Sequence, residues 1–372
     1  MIDPRVQRLA ELIVAYSLEL REGKIIRIDG LDAASPLALA LYKEALRAGA
    51  FPYPHVMVEG ILELLLEHGS DEQLDFVSPL QWHEIETIDA LITVWSEANT
   101  RSLTRVNPGR QARLLGAQRK LSNRRWERIA RGELRWCGTL YPTMSLENYE
   151  DFVFAACHVD EEQPAAHWRL VAASLGARAE ELESVRELRV VGPDTDLRLG
   201  VAGRKWIAAD GRYNMPDGEV FTSPVETETE GEIRYTFPAI YQGREVDDVR
   251  LRFEAGRVVA AEAVRGEDYL RTLLDMDEGA RVLGEVAFGL NYEIDRFTRN
   301  ILFDEKIGGT MHFALGSAFP QAGGTNTSGL HWDMICDLRE EGEVYADGEL
   351  VWKAGHFLAE PVVQSVEAVE SA

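Results

Sequence analysis

Apolar residues recur at helical spacing over residues 5–21, where Leu9, Leu12, Ile13 and Tyr16 share one face. The apolar run at 24–28 then predicts a strand that closes at Asp29-Gly30. Pro36 near its start marks a helix over 36–48. A second strand follows at 55–58, helices at 59–68 and 71–87, a third strand at 89–95, an arginine-rich helix at 109–131 and a fourth strand at 133–140. Strands alternating with helices predict a mostly parallel sheet covered on both faces. Residues 146–182 read as helix in two or three segments.

Near Leu188 the period shortens from helical to alternating. Short runs separated by turn residues fall at 188–191, 197–201, 205–208, 219–222, 233–238, 249–253 and 258–264, the texture of antiparallel sheet. A short helix at 267–275 interrupts them, strands resume from Val282 through Trp352, and the tail after Phe357 reads as a loose end. The expected fold is therefore an α/β N-terminal domain with a mostly parallel sheet, residues 1–185, followed by an α+β domain, residues 186–372, dominated by antiparallel sheet.

Charge narrows the function. With 39 basic and 63 acidic residues the net charge is −24, which disfavours nucleic acid as a partner because phosphate binding needs a basic surface. No apolar run approaches membrane-spanning length, and the beginning MIDPRVQRLAELIV does not have the form of a secretory signal. Cys137, Cys157 and Cys336 all lie in apolar surroundings without a C-x-x-C pair. They read as small buried hydrophobes in a protein of the reducing cytoplasm. Neither a G-x-G-x-x-G nor a phosphate-binding loop motif follows the early strands, so a nucleotide site has no support.

The chemistry concentrates in the second domain. His331 and Asp333 sit two apart in a short apolar run, so a strand places them on one face with Trp332 on the other. A single histidine in an apolar strand is commonly a hydrogen-bonded core residue. Here His312 lies in a second such run, and Glu285 and Glu305 add carboxylates. Burying so many charges without a cation is costly, and imidazoles beside carboxylates are good donors for a divalent metal. Two Gly-Glu-Val triplets place Glu219 and Glu285 at strand beginnings, where glycine leaves room for close approach.

Five blocks in order, NMPDGEVFTSP, DEGARVLGEVAFGLN, ILFDE, HFALGSAFP and HWDMICDL, resemble the thermophilic metallo-aminopeptidases of the aminopeptidase T and aminopeptidase S type over residues 205–357. The resemblance implies a cytosolic, homodimeric exopeptidase acting on peptides with a free N-terminus through two divalent ions (Zn, Co, Mn or Mg). It implies Glu219, Glu285, Glu305, His312, His331 and Asp333 as metal ligands, with Glu285 or Glu305 accepting the proton of the attacking water. Two features depart from the pattern: the spacing from Glu305 to His312 is slightly longer than the family's usual form, and the family motif H-x-A-L-G-x-A-Y-P has a tyrosine where this chain has Phe319. Tyr213, Tyr292 and Tyr345 are candidates to replace its hydroxyl. Two other readings stand beside the peptidase. His312, His331 and Asp333 alone make the two-histidine, one-carboxylate set of a mononuclear iron dioxygenase, such as the ring-cleaving dihydroxypyridine enzymes. A non-catalytic relative that keeps its metal is the third. The pairs Gly308-Gly309 and Gly323-Gly324 look like substrate-access loops on the first reading and like ordinary turns otherwise.

Overall fold

Alternating apolar strands and amphipathic helices build a parallel sheet in the first part of the chain. In the computed structural model, which describes residues 3–97, 103, 106–143 and 148–361, this part opens with α1 (Pro4–Leu12). Asp3 caps α1 by accepting from the Arg5 N–H at 2.8 Å. Then come β1 (Ile25–Leu31), α2 (Ser35–Arg47), β2 (Phe51–Met57), α3 (Ile61–His68), α4 (Asp71–Asp75), α5 (Pro79–Thr87), β3 (Ala90–Trp95), α6 (Pro108–Ala130), β4 (Arg135–Leu140) and α7 (Tyr149–Ala156). The sheet order is β2-β1-β3-β4, and a distant segment, β8 (Asn214–Met215), pairs in parallel beyond β4.

Two local differences from the sequence reading have clear causes. The helix expected over 71–87 is two helices, because Ser70 with Gln73 and Ser78 with Gln81 each form a capping box. Strand β2 begins at Phe51, across Pro52 and Pro54. Prolines are tolerated there because β2 is an edge strand.

The second part carries α8 (Pro164–Leu182), α9 (Glu267–Leu274), α10 (Ile301–Asp304) and two antiparallel sheets. The larger contains β5 (Glu187–Gly192), β6 (Thr195–Gly200), β10 (Thr229–Tyr235), β13 (Val249–Glu254), β14 (Arg257–Glu262), β18 (Glu343–Ala346), β19 (Glu349–Lys353) and β20 (His356–Phe357). Their order is β14-β13-β10-β6-β5-β18-β19-β20. The smaller contains β7 (Ile207–Ala209), β9 (Glu219–Thr222), β15 (Leu283–Gly289), β16 (Thr310–Gly316) and β17 (His331–Asp337), in the order β17-β16-β15-β9-β7. The short pair β11 (Ala239–Tyr241) and β12 (Arg244–Val246) stands apart. The architecture is the expected one, a parallel-sheet N-terminal domain and a C-terminal domain of antiparallel sheets.

The compact units are residues 1–166 with 211–216, and 167–210 with 217–372, which differs from a single boundary near 185. The change of period near 188 marks the start of strands, but packing decides membership: Leu175, Ala179 and Leu182 of α8 belong to the second core, and the 211–216 segment returns to the first unit through β8. Residues 146–147 of the expected helical stretch and most of the tail, 362–372, lie outside the described residues. Leu358, just past β20, still donates to the Val351 carbonyl at 2.9 Å.

The smaller sheet separates its two faces by alternation. Val286, Phe288, Phe313, Leu315, Trp332, Met334 and Cys336 enter the same apolar core as Val190, Leu197, Leu199 and Ile233 of the larger sheet. The intervening positions carry the polar chemistry. Trp332 is 1% exposed, so Trp332→Ala should cost about 3–5 kcal/mol of stability, read from the urea unfolding of the C-terminal unit. A loss near zero would show that Trp332 does not hold this core.

Candidate metal centre

Register brings the candidate residues together. Glu285 on β15 pairs with Ala314 on β16, which pairs with Asp333 on β17, while His331 faces Gly316 and His312 faces Ala287. Glu219 begins β9, two residues before Phe221, which pairs with Ala287. Glu219, Glu285, His312, His331 and Asp333 therefore project from one face. Ala287 and Ala314, both fully buried, leave space between them. Glycines bring the strands close: a Cβ on Gly284 would lie 2.2 Å from the Ser317 carbonyl, and Gly218, at φ +122°, would meet Asn291. Neither position tolerates a side chain.

His312 Nε2 lies 3.6 Å from Glu285 Oε1 and 3.7 Å from Glu219 Oε2, and His331 Nε2 lies 3.3 Å from Glu285 Oε2 and 3.5 Å from Asp333 Oδ1. One donor atom each from Glu285, His312 and Asp333 falls within a common 4.8 Å. Both imidazoles are fixed from behind. His312 Nδ1 meets the Glu305 carbonyl at 2.8 Å and His331 Nδ1 meets the Ser317 carbonyl at 2.9 Å. A proton donated from Nδ1 leaves Nε2 as the ligand atom.

These donors fit a divalent ion. Tetrahedral donors about 2.0–2.2 Å from a metal lie roughly 3.3–3.6 Å from one another, close to the separations found. Asp333 Oδ1 and Glu219 Oε2 are also buried without a hydrogen-bond partner among the described residues, as expected of oxygens built to meet a cation.

Burial disfavours charge on His312 and His331, yet the hydrogen bond each donates to Glu285 and the charges of Glu219 and Glu285 at His312, and Asp333 and Glu285 at His331, outweigh it and raise both to about 10. Burial also works against the Glu285 carboxylate, but its hydrogen bonds with both imidazoles hold it down to about 2. Asp333 moves up to about 6, chiefly through burial.

A family model for thermophilic metalloproteases, M29, matches residues 2–357. The chain belongs to the M29 family of thermophilic metalloproteases. It is 27% identical to Aminopeptidase T of Thermus thermophilus over 356 residues, 85% of each chain. It is 27% identical to Aminopeptidase 2 of Geobacillus stearothermophilus over 415 aligned positions, 96% of this chain and 98% of that one. A further match, 34% identical to Aminopeptidase T of Thermus aquaticus, spans half of either chain. The solved structure of wild-type AmpT from Thermus thermophilus superposes with a TM-score of 0.83 at 26% identity, covering 95% of this chain and 99% of that one. These matches favour the metalloprotease over the iron dioxygenase.

Within this M29 centre the six expected ligands lie in one neighbourhood, for burial and, with it, the charge of Glu305 raise both Glu219 and Asp333. Glu285, His312, His331 and Asp333 cluster, with Glu219 at the His312 side. The Glu305 carboxylate is also paired with Lys306. Lys306 was not among the residues singled out from sequence, yet it is fully buried, with Glu219 Oε1 at 3.8 Å and Asp217 Oδ1 at 4.0 Å. Burial lowers its affinity for a proton, but the charges of Glu219, Glu305 and Asp217 outweigh that and hold it protonated far above the neutral range. A lysine in the apolar stretch KIGGTMHFALG was the only signal of its place.

The glycine pairs serve packing. A Cβ on Gly308 would lie 2.5 Å from the Tyr292 ring, Gly309 turns at φ +90°, and a Cβ on Gly324 would lie 2.4 Å from Ala318. The Tyr292 hydroxyl donates to the Gly355 carbonyl and that of Tyr345 to Glu343, and Tyr213 belongs to the N-terminal unit.

An ion at Nε2 displaces the proton held there below about pH 10, so affinity should fall as pH falls and uptake near neutral pH should release protons. Zinc titration of metal-free protein at pH 7, by calorimetry in two buffers of different ionisation heat, should show net release of at least one proton per chain. Uptake without release would remove the imidazoles from the ligand set.

Proposed function

We propose that this metal-dependent aminopeptidase removes N-terminal residues from peptides at the face carrying Glu285, His312, His331 and Asp333. The observation that carries the reading is two imidazoles fixed through Nδ1 to backbone carbonyls, with both Nε2 atoms turned to one carboxylate. Those four residues would hold a divalent ion of the Zn, Co, Mn or Mg class, and mixed imidazole and carboxylate donors suit zinc or cobalt. When bound, such an ion supplies Lewis acidity toward the scissile carbonyl and makes water nucleophilic near neutral pH.

In this reading Glu285 accepts the proton of the attacking water. It is ionised at neutral pH and held in place from two sides by His312 and His331. Glu219, with Oε2 lacking a hydrogen-bond partner and raised well above the usual carboxylate range by burial, becomes ionised on receiving the free α-ammonium of the substrate. The requirement for a free N-terminus follows from that ion pair, and it accords with relatives named as aminopeptidases. No helix among the described residues is long and apolar enough to cross a membrane. The three buried free thiols support a reducing cytoplasm, and the homodimer implied by the resemblance belongs to the same proposal.

Glu285→Gln should lower turnover of aminoacyl anilides by about 10²–10⁴-fold while circular dichroism stays native. Near-normal turnover of the metal-loaded variant would remove Glu285 from this role. Phe319 is half-buried, its ring 5.3 Å from the His331 ring and 5.0 Å from the Phe221 ring. A hydroxyl there lies beside the proposed reaction centre, and an oxyanion donor is worth about 10²–10³ in rate. Phe319→Tyr should therefore raise kcat for a dipeptide more than it changes KM. An unchanged kcat would assign oxyanion stabilisation to another group.

A further inference from the structure

The resemblance implies two ions, yet a lysine sits among the carboxylates beside the imidazole cluster. Lys306 has no solvent exposure, and three carboxylates surround its ammonium: Glu305 in direct contact, Glu219 at 3.8 Å and Asp217 at 4.0 Å. Its position is set by the backbone. Asn300 caps α10 by accepting from the Leu302 N–H at 3.1 Å, and the buried Asp304 accepts from the Thr298 N–H at 2.6 Å and hydroxyl at 2.8 Å. Gly308 and Gly309 then admit the tight passage into β16. The Glu305-Lys306 step is thus held at the centre, with the Glu305 carbonyl accepting from His312.

We propose that Lys306 is a built-in replacement for the second metal ion, so that the centre holds one divalent ion per chain, on the side of Glu285, His312, His331 and Asp333. This rests on the metal-centre reading above and deepens it. Glu219 divides its oxygens between the halves: Oε1 faces Lys306 and Oε2 faces His312. A dication ligated by Glu219 Oε1 and Glu305 would compete for the oxygens that Lys306 engages and would lie within a few ångströms of its ammonium. Like charges that close repel strongly in a site shielded from water. A covalently tethered ammonium satisfies the same carboxylates without being drawn from solution. Glu305, on this assignment, orients Lys306 and His312 and is not a metal ligand.

The test is the metal count. Protein saturated with zinc, then with cobalt, is freed of loose ions by gel filtration and measured by elemental analysis. Wild type should carry one ion per chain, and so should Glu305→Gln and Lys306→Arg. Lys306→Gln, which removes the ammonium but leaves the carboxylates, should carry two. Two ions in wild type overturn the proposal, as does loss of an ion in Glu305→Gln or a count of one in correctly folded Lys306→Gln. If Lys306→Gln fails to fold, the wild-type and Glu305→Gln counts decide. One ion in wild type without peptide hydrolysis would reject the aminopeptidase reading and leave this proposal standing, whereas two ions with hydrolysis would do the reverse.

Discussion

The centre depends on keeping acid buried. Asp217, Glu219, Glu285 and Asp333 lie within the C-terminal unit with little or no exposure, and Glu305 is only slightly more open. A buried carboxylate without a counter-charge is costly enough to unfold a marginal protein. Nearby positive charge offsets that cost, and where it falls short the acid keeps its proton, as at Glu219, which burial raises well above the usual carboxylate range. Protonated imidazoles provide positive charge on one side when no ion is bound, and Lys306 provides it on the other through the chain itself. Metal uptake on the imidazole side exchanges proton charge for ion charge, which makes the centre sensitive to both metal and pH.

The smaller antiparallel sheet makes that arrangement possible. Alternation, broken by one irregularity at Leu283/Glu285, sends Trp332, Phe313 and Val286 into an apolar core while their neighbours carry the ligands. The rigidity of the core side fixes the ligand side, because a strand cannot rotate one face without disturbing the other. Alanines at 287 and 314 keep the middle of the polar face open, and Gly284 and Gly218 let the strands approach where a methyl group would collide. The Gly-Glu-Val triplets are thus packing devices that set a carboxylate beside them.

Much of this was legible from residue order. Alternating periods predicted both domain types, and the His331-Trp332-Asp333 triplet divided correctly between the two faces. Glu219, Glu285 and His312 were found as charges inside apolar runs. Glu305 was expected among the ligands, and its contact with Lys306 was not foreseen. The reason is that one backbone step places two opposite charges side by side, and linear spacing does not say which will face the histidines. Gly308-Gly309 read as a substrate-access loop or an ordinary turn, and close approach to Tyr292 and Gly355 packs it.

The sequence by itself determined most of the helices and strands, the two faces of the His331-Trp332-Asp333 strand, and that an acidic chain carries a concentrated set of metal-type donors. These follow from local periodicity and residue chemistry, which need only near neighbours in the chain. The tertiary structure alone decided that α8 packs with the second unit, that residues 211–216 return to the first, and which donors converge. Convergence depends on strand register between segments tens of residues apart. It decided above all the role of Lys306, because an ammonium becomes a structural cation only when distant carboxylates surround it and exclude water.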